Sequence, residues 1–138
     1  RREYYYSGRD KGRQKTDKEF SDDLTAWLSG EKVRAVILDP AAASFKAQLE
    51  KDGYKVKKAK NDVLDGIRFV ATLLLSGSIF VDKSCENLIK EFASYIWDAK
   101  AAERGEDKPV KEHDHALDAL RYFCYTIIRR VGGIRILK

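Results

Sequence analysis

Apolar residues recur at two spacings along this chain, and the alternation between them predicts helices and strands in turn. Phe20, Leu24, Trp27 and Leu28 recur at helical spacing behind Thr16 and Glu19, which have the separation of a capping box, and Gly30 supplies the stop. VRAVILDP, Val33 to Pro40, is an apolar run of strand length. Pro40 forbids further ladder pairing, so Asp39 falls at the strand's carboxyl end. Ala42 to Asp52 predicts a helix ended by Gly53, and Tyr54 to Ala59 the next strand. Asn61 or Asp62 then caps a helix with Val63, Ile67, Val70 and Leu74 inward, closed by Gly77. Ser78 to Val81 predicts a short strand, and Ser84 a cap for a helix carrying Leu88, Phe92, Tyr95 and Ala99. Trp27 and Trp97 lie on apolar stripes and are expected in the core.

Glu3 to Ser7 predicts a short aromatic strand, in which Tyr4, Tyr5 and Tyr6 alternate faces and serve packing rather than base stacking. Ala101 to Glu112 is polar, holds Gly105 and Pro109, and is expected to be a mobile loop able to gate the acidic helix after it. Val131 to Lys138 is a separate tail, either a late strand or a disordered end. The alternation implies one α/β domain over residues 1 to 130, with helices on both faces of a sheet largely parallel over its central strands.

The chemistry concentrates in HDHALDALRY, His113 to Tyr122. On a helix, His115 lies beside Asp118, Asp114 lies one turn before it, and Leu117, Leu120, Cys124 and Ile128 form the opposite, core-facing stripe. A carboxylate held at the edge of a folded body can take a hard metal ion, and a nearby imidazole can position water or move a proton. Acids near a helix N-terminus are also favoured by the macrodipole alone, and Asp-Pro is an ordinary way to begin a turn. The second acid adds weight, because open α/β sheets collect ligands at the carboxyl ends of their strands, where Asp39 falls. Asp62 and Asp65 are read as cap and first-turn acids, and His113 as a solvent-facing alternative to His115.

Composition narrows the class. With 138 residues, 43% of them hydrophobic and 36% charged, the chain is long enough to bury a core and too apolar to be disordered throughout. No apolar run reaches the roughly 20 residues of a membrane span and no signal-peptide pattern opens the chain, so a cytoplasmic protein without membrane contact is expected. Cys85 and Cys124 both sit in apolar helical patterns and read as reduced core thiols. The net charge of +5 permits a polyanionic partner. SGRDKGRQK, Ser7 to Lys15, reads as a flexible glycine-containing loop whose Arg9, Lys11, Arg13 and Lys15 can track a phosphate backbone. Lys51, Lys55, Lys57, Lys58 and Lys60 form a second cluster that strand alternation could equally send to solvent.

YYYSGRDKGRQKTDKEF, ILDPAAASF, NDVLDGIRF and DHALDALRY, in this order and spacing, resemble the C-terminal nuclease domain of phage terminase large subunits, from about Tyr4 to Tyr125. The resemblance implies a ribonuclease H-like mixed sheet with helices on both faces, truncated at the N-terminus, and cutting of concatemeric double-stranded DNA during genome packaging in the bacterial host. It implies two divalent ions, Mg²⁺ or Mn²⁺, with Asp39 and Asp118 as ligands and His115 as the accompanying histidine; Asp114 and His113 are subsidiary candidates. Small terminase subunit and portal are the implied protein partners. The family's first acid belongs to a strand upstream of YYYSGR, so weak or absent cutting is expected of the chain as given. The Val33 to Leu38 strand would then keep an open edge, to be covered by Ile134 to Leu137 or by a second copy of the chain. A non-catalytic DNA-binding or motor-assembly module with the same fold, and another ribonuclease H-like nuclease such as a junction resolvase, are the competing readings. No G-x-x-x-x-G-K-[ST] phosphate-binding loop occurs in these residues.

Overall fold

The computed structural model describes residues 1–102 and 114–132. Its elements run α1 (Gly8–Lys11), α2 (Asp17–Trp27), β1 (Val36–Leu38), α3 (Ala43–Lys51), β2 (Val56–Lys58), α4 (Val63–Leu75), α5 (Glu86–Ala102), α6 (His115–Phe123), a π-helical turn (Cys124–Ile128) and α7 (Arg129–Gly132). β1 and β2 pair in parallel, Val36 opposite Val56 and Leu38 opposite Lys58, with α3 as the crossover between them. That is the βαβ unit expected of an α/β domain.

Local chemistry accounts for most boundaries. Thr16 accepts from the Glu19 amide while the Glu19 carboxylate accepts from the Thr16 amide, closing the capping box of α2. Gly53, at φ 95°, turns the chain out of α3 where a side chain would be strained. The best-buried core lies where Val70 and Leu73 of α4 meet Cys124, with Phe69, Leu74, Ile79, Leu120 and Ile128 packed around them. This cluster seats the apolar side of α6 and its π-helical continuation. Cys85 and Cys124 are buried and neither is in a disulfide; burial pushes the Cys124 thiol up to about 11.

Several expectations are corrected. Glu3–Ser7 is not a strand: the Tyr4 hydroxyl bonds to Asp23 and that of Tyr6 to the Arg13 carbonyl at 2.6 Å, while the rings pack on Trp27 and Phe20. Side chains, not ladder bonds, anchor this segment. Nor is Ser78–Val81 a strand, because the amides of Ser78 and Ile79 turn back to the Leu73 carbonyl and close the end of α4. The Ser7 to Lys15 segment contains a helical turn instead of an irregular loop: Ser7 caps it through the Asp10 amide, and Gly12 leaves it at φ 65°. Val63 is exposed, and Gly66, Val70 and Leu73 form the buried line of α4. Trp97, the Ala101 to Glu112 segment, His113 and the Ile134 to Leu137 tail fall where side chains or backbone lie outside the described residues. Among the described residues no helix is long and apolar enough to cross a membrane.

Candidate functional site

Asp39 directly follows β1 and is half-buried. Its Oδ1 accepts from the Ala41 amide at 2.8 Å, an Asx turn that begins the bend into α3. Its Oδ2 accepts from the Tyr122 hydroxyl at 2.6 Å. The Tyr122 bond, then the Ala41 amide and the nearby Arg121 charge, hold the Asp39 carboxyl below the usual range despite its partial burial, so it is ionised at neutral pH. Burial, reinforced by the bond to Asp39 and by the charges of Asp118 and Asp39, pushes the Tyr122 hydroxyl up to about 12, so it remains a donor.

Asp118 stands one helical turn before Arg121 and accepts from its Nη2 at 2.9 Å. Arg121 is 6% exposed. Its Nη1 donates to the carbonyls of Asn61 at 2.9 Å and Asp62 at 3.1 Å, where the chain enters α4. Its guanidinium also lies 4.8 Å from the centre of the Tyr122 ring. Asp39 and Asp118, remote in sequence, are therefore both bound by consecutive side chains of α6, Tyr122 holding one and Arg121 the other. Each oxygen of Asp39 holds one donor and retains a further lone pair, and Asp118 is bonded through Oδ1. Carboxylate oxygens of this kind suit a hard divalent cation such as Mg²⁺ or Mn²⁺. Among the described residues, no cluster of three or more His, Cys, Asp or Glu side chains is drawn together.

The other expected site residues are placed differently. His115 is exposed at the start of α6, on the wall of a groove of about 610 Å³ that Asp39 and Asp118 do not line. Tyr4, Tyr6, Trp27, Val36, Phe45 and Phe80 also line this groove, and among the described residues β1 pairs only with β2. Asp114 precedes α6 at the cap position without a side-chain cap bond, and its carbonyl accepts from the Asp118 amide at 2.8 Å. Arg9 and Lys11 are exposed. Arg13 is bound by Glu19 at 2.7 Å, while Lys15 is held by Asp23 and the Tyr4 hydroxyl and lies 4.4 Å from the Tyr6 ring centre. Those two cations hold the N-terminal segment against α2.

Four residues of structural consequence escaped the sequence reading. Arg121 was reachable, because an arginine three places after a helical aspartate sits beside it. Tyr122 bonds across 83 positions, which no local spacing reveals. Glu3 takes the amides of Asn87 at 2.7 Å and Leu88 at 3.1 Å, capping α5 across the chain, while Ser84, the expected cap, turns its amide and hydroxyl to Asp82. Glu91, 4% exposed, accepts from the Leu117 amide at 2.8 Å and so caps α6; burial raises its pKa above the ordinary carboxylate value.

Comparison with known proteins gives the family of the chain. The family described as Terminase RNaseH-like domain matches residues 2–125. The chain is 37% identical over 103 residues to the terminase large subunit of Escherichia phage T5, covering 71% of this chain and 23% of that protein. The large terminase of a thermophilic bacteriophage superposes with a TM-score of 0.83 at 53% identity, over 92% of this chain and 33% of that one. A second crystal form of the same thermophilic phage protein gives 0.82 at the same identity. The chain thus spans a third or less of the length of these relatives. With its four motifs in order and its α/β fold matched, the chain belongs to the terminase RNaseH-like domain family.

Proposed function

We propose that this chain is the nuclease part of a phage terminase large subunit and hydrolyses phosphodiester bonds of double-stranded DNA during genome packaging, with two divalent ions, Mg²⁺ or Mn²⁺. The observation that carries the reading is the binding of Asp39 and Asp118 by the adjacent side chains Tyr122 and Arg121. Such bonds fix the direction of a carboxylate before any ligand arrives, which is what ion binding and catalysis both require.

Asp39 and Asp118 are the residues of this chain that would hold metal. When bound, divalent ions supply an acidified water and stabilise the charge that develops on the leaving oxygen. The protein's own contributions are separate from that chemistry. The Ala41 amide and the Tyr122 hydroxyl keep Asp39 charged and oriented. Arg121 holds Asp118 through its Nη2, and its buried charge offsets that of the carboxylate it touches. Exposed Arg9 and Lys11 bind the DNA backbone, and His115, three residues before Asp118 on α6, assists proton transfer.

The test is plasmid cleavage in Mn²⁺ beside Asp39→Ala and Asp118→Ala. Cleavage abolished by either substitution, with duplex binding retained, supports the reading. Because a metal pair needs more ligands than two carboxylates provide, cutting by these 138 residues should be slow. A longer chain that adds a third carboxylate should cut faster. Binding without cleavage by both lengths would identify a non-catalytic DNA-binding module instead.

A further inference from the structure

We infer that Arg121 is a positioning residue for the acid pair and that the absence of a side chain at Gly66 is what allows it to act. This rests on the nuclease reading above. Gly66 is buried in α4 at a φ any residue can adopt, so its backbone does not require glycine. Space does. A Cβ built there would lie 2.8 Å from Cγ and 2.9 Å from Cδ of Arg121, closer than such atoms approach. The arginine stem therefore crosses α4 through the gap that Gly66 leaves.

The head group is fixed from three sides. Nη1 is held by the carbonyls of Asn61 and Asp62, Nη2 by Asp118, and the Tyr122 ring lies against the guanidinium. A planar fork so held cannot rotate, and it transmits that fixity to the Asp118 carboxylate. Tyr122, the next residue, does the same for Asp39. The start of α4 thus sets the position of α6 and, through two consecutive side chains, the orientation of both acids. Shifting the Arg121 stem disturbs all of these contacts at once.

A cation beside a metal ligand also repels the metal, so the charge of Arg121 and its positioning act on metal affinity with opposite signs. Gly66→Ala separates them, because it moves the stem and changes no charge. We expect Gly66→Ala to weaken Mn²⁺ binding by tenfold or more, since supports of ligand groups typically contribute about 10- to 100-fold to affinity. Arg121→Lys, which keeps the charge and loses the fork, should do likewise. In an Arg121→Met background Gly66→Ala should have no further effect, because the atoms it meets are no longer tied to Asp118.

The experiment titrates Mn²⁺ calorimetrically into the protein and these variants, with circular dichroism to establish folding and with Asp39→Asn and Asp118→Asn for reference. Unchanged affinity in Gly66→Ala, or in Arg121→Lys should Gly66→Ala not fold, overturns the inference. Equal loss from Gly66→Ala in both backgrounds overturns it too, as does tighter binding in Arg121→Met, which would mean that repulsion dominates. Unchanged affinity in Asp39→Asn and Asp118→Asn would overturn the metal reading and this inference with it. Loss in those two with none in Gly66→Ala overturns the inference alone.

Discussion

Replacing Tyr122 by Phe removes one oxygen and tests whether Asp39 is held ionised by that hydroxyl. The bond is 2.6 Å long, joins a donor to a charged acceptor, and lies where both residues are at least half shielded. Hydrogen bonds to charged groups contribute about 1.5 to 3 kcal/mol net, and partial exposure places this one near the lower limit, about 1.5 kcal/mol at pH 7. Its pH dependence comes from linkage. The folded pKa of Asp39 is depressed, first by the Tyr122 bond, so the unfolded chain binds the proton more readily. The stability this provides is present above the unfolded carboxyl value of about 3.9 and is lost as pH falls through the folded value. The variant should therefore be less stable than the parent at pH 7 and approach it near pH 3. Urea denaturation at the two pH values measures the difference, and comparing variant with parent cancels the titration of other acids. Tyr54→Phe is the control: its hydroxyl meets the Thr25 hydroxyl at 2.7 Å, two neutral groups, so any loss should be the same at both pH values. A Tyr122→Phe loss below about 0.5 kcal/mol at pH 7, the range of an ordinary surface substitution, would refute the reasoning. So would an equal loss at pH 3.

Two further outcomes are expected. Glu3→Ala should cost about 1 to 2 kcal/mol, the scale of a helix cap reinforced by charge at the N-terminus of α5, and should speed hydrogen exchange at the Asn87 and Leu88 amides; unchanged exchange there would show that Glu3 is not the cap. In a salt titration of duplex binding, Arg9→Ala with Lys11→Ala should flatten the slope by about 2, at roughly 0.9 per phosphate contact, while Arg13→Ala with Lys15→Ala leaves the slope unchanged and lowers stability. The reverse pattern would move the DNA surface onto the ion-paired cations.

The chain's local patterns carried most of its secondary structure. The capping box of α2, the strand run ending in Asp39, the glycines that release α3 and α4, and the core stripe of α6 all depend on neighbours a few residues apart, and such neighbours are visible in sequence. The family could be recognised on the same ground, since its motifs are short and ordered. Tertiary structure decided what those elements do to one another. The aromatic run at Tyr4 to Tyr6 has the alternation of a strand, yet hydroxyl bonds and ring packing claim it. Arg13 and Lys15 carry the charge expected of a DNA-tracking loop, and Glu19 and Asp23 take them up. α5 and α6 are capped by Glu3 and Glu91 because unpaired amides at a helix start donate to any carboxylate that folding brings within reach, whatever its distance along the chain. The pairing of Asp39 with Tyr122, and the gap at Gly66 that admits Arg121, are likewise contacts between remote segments. Periodicity assigns a residue to a face, and only packing determines what that face meets.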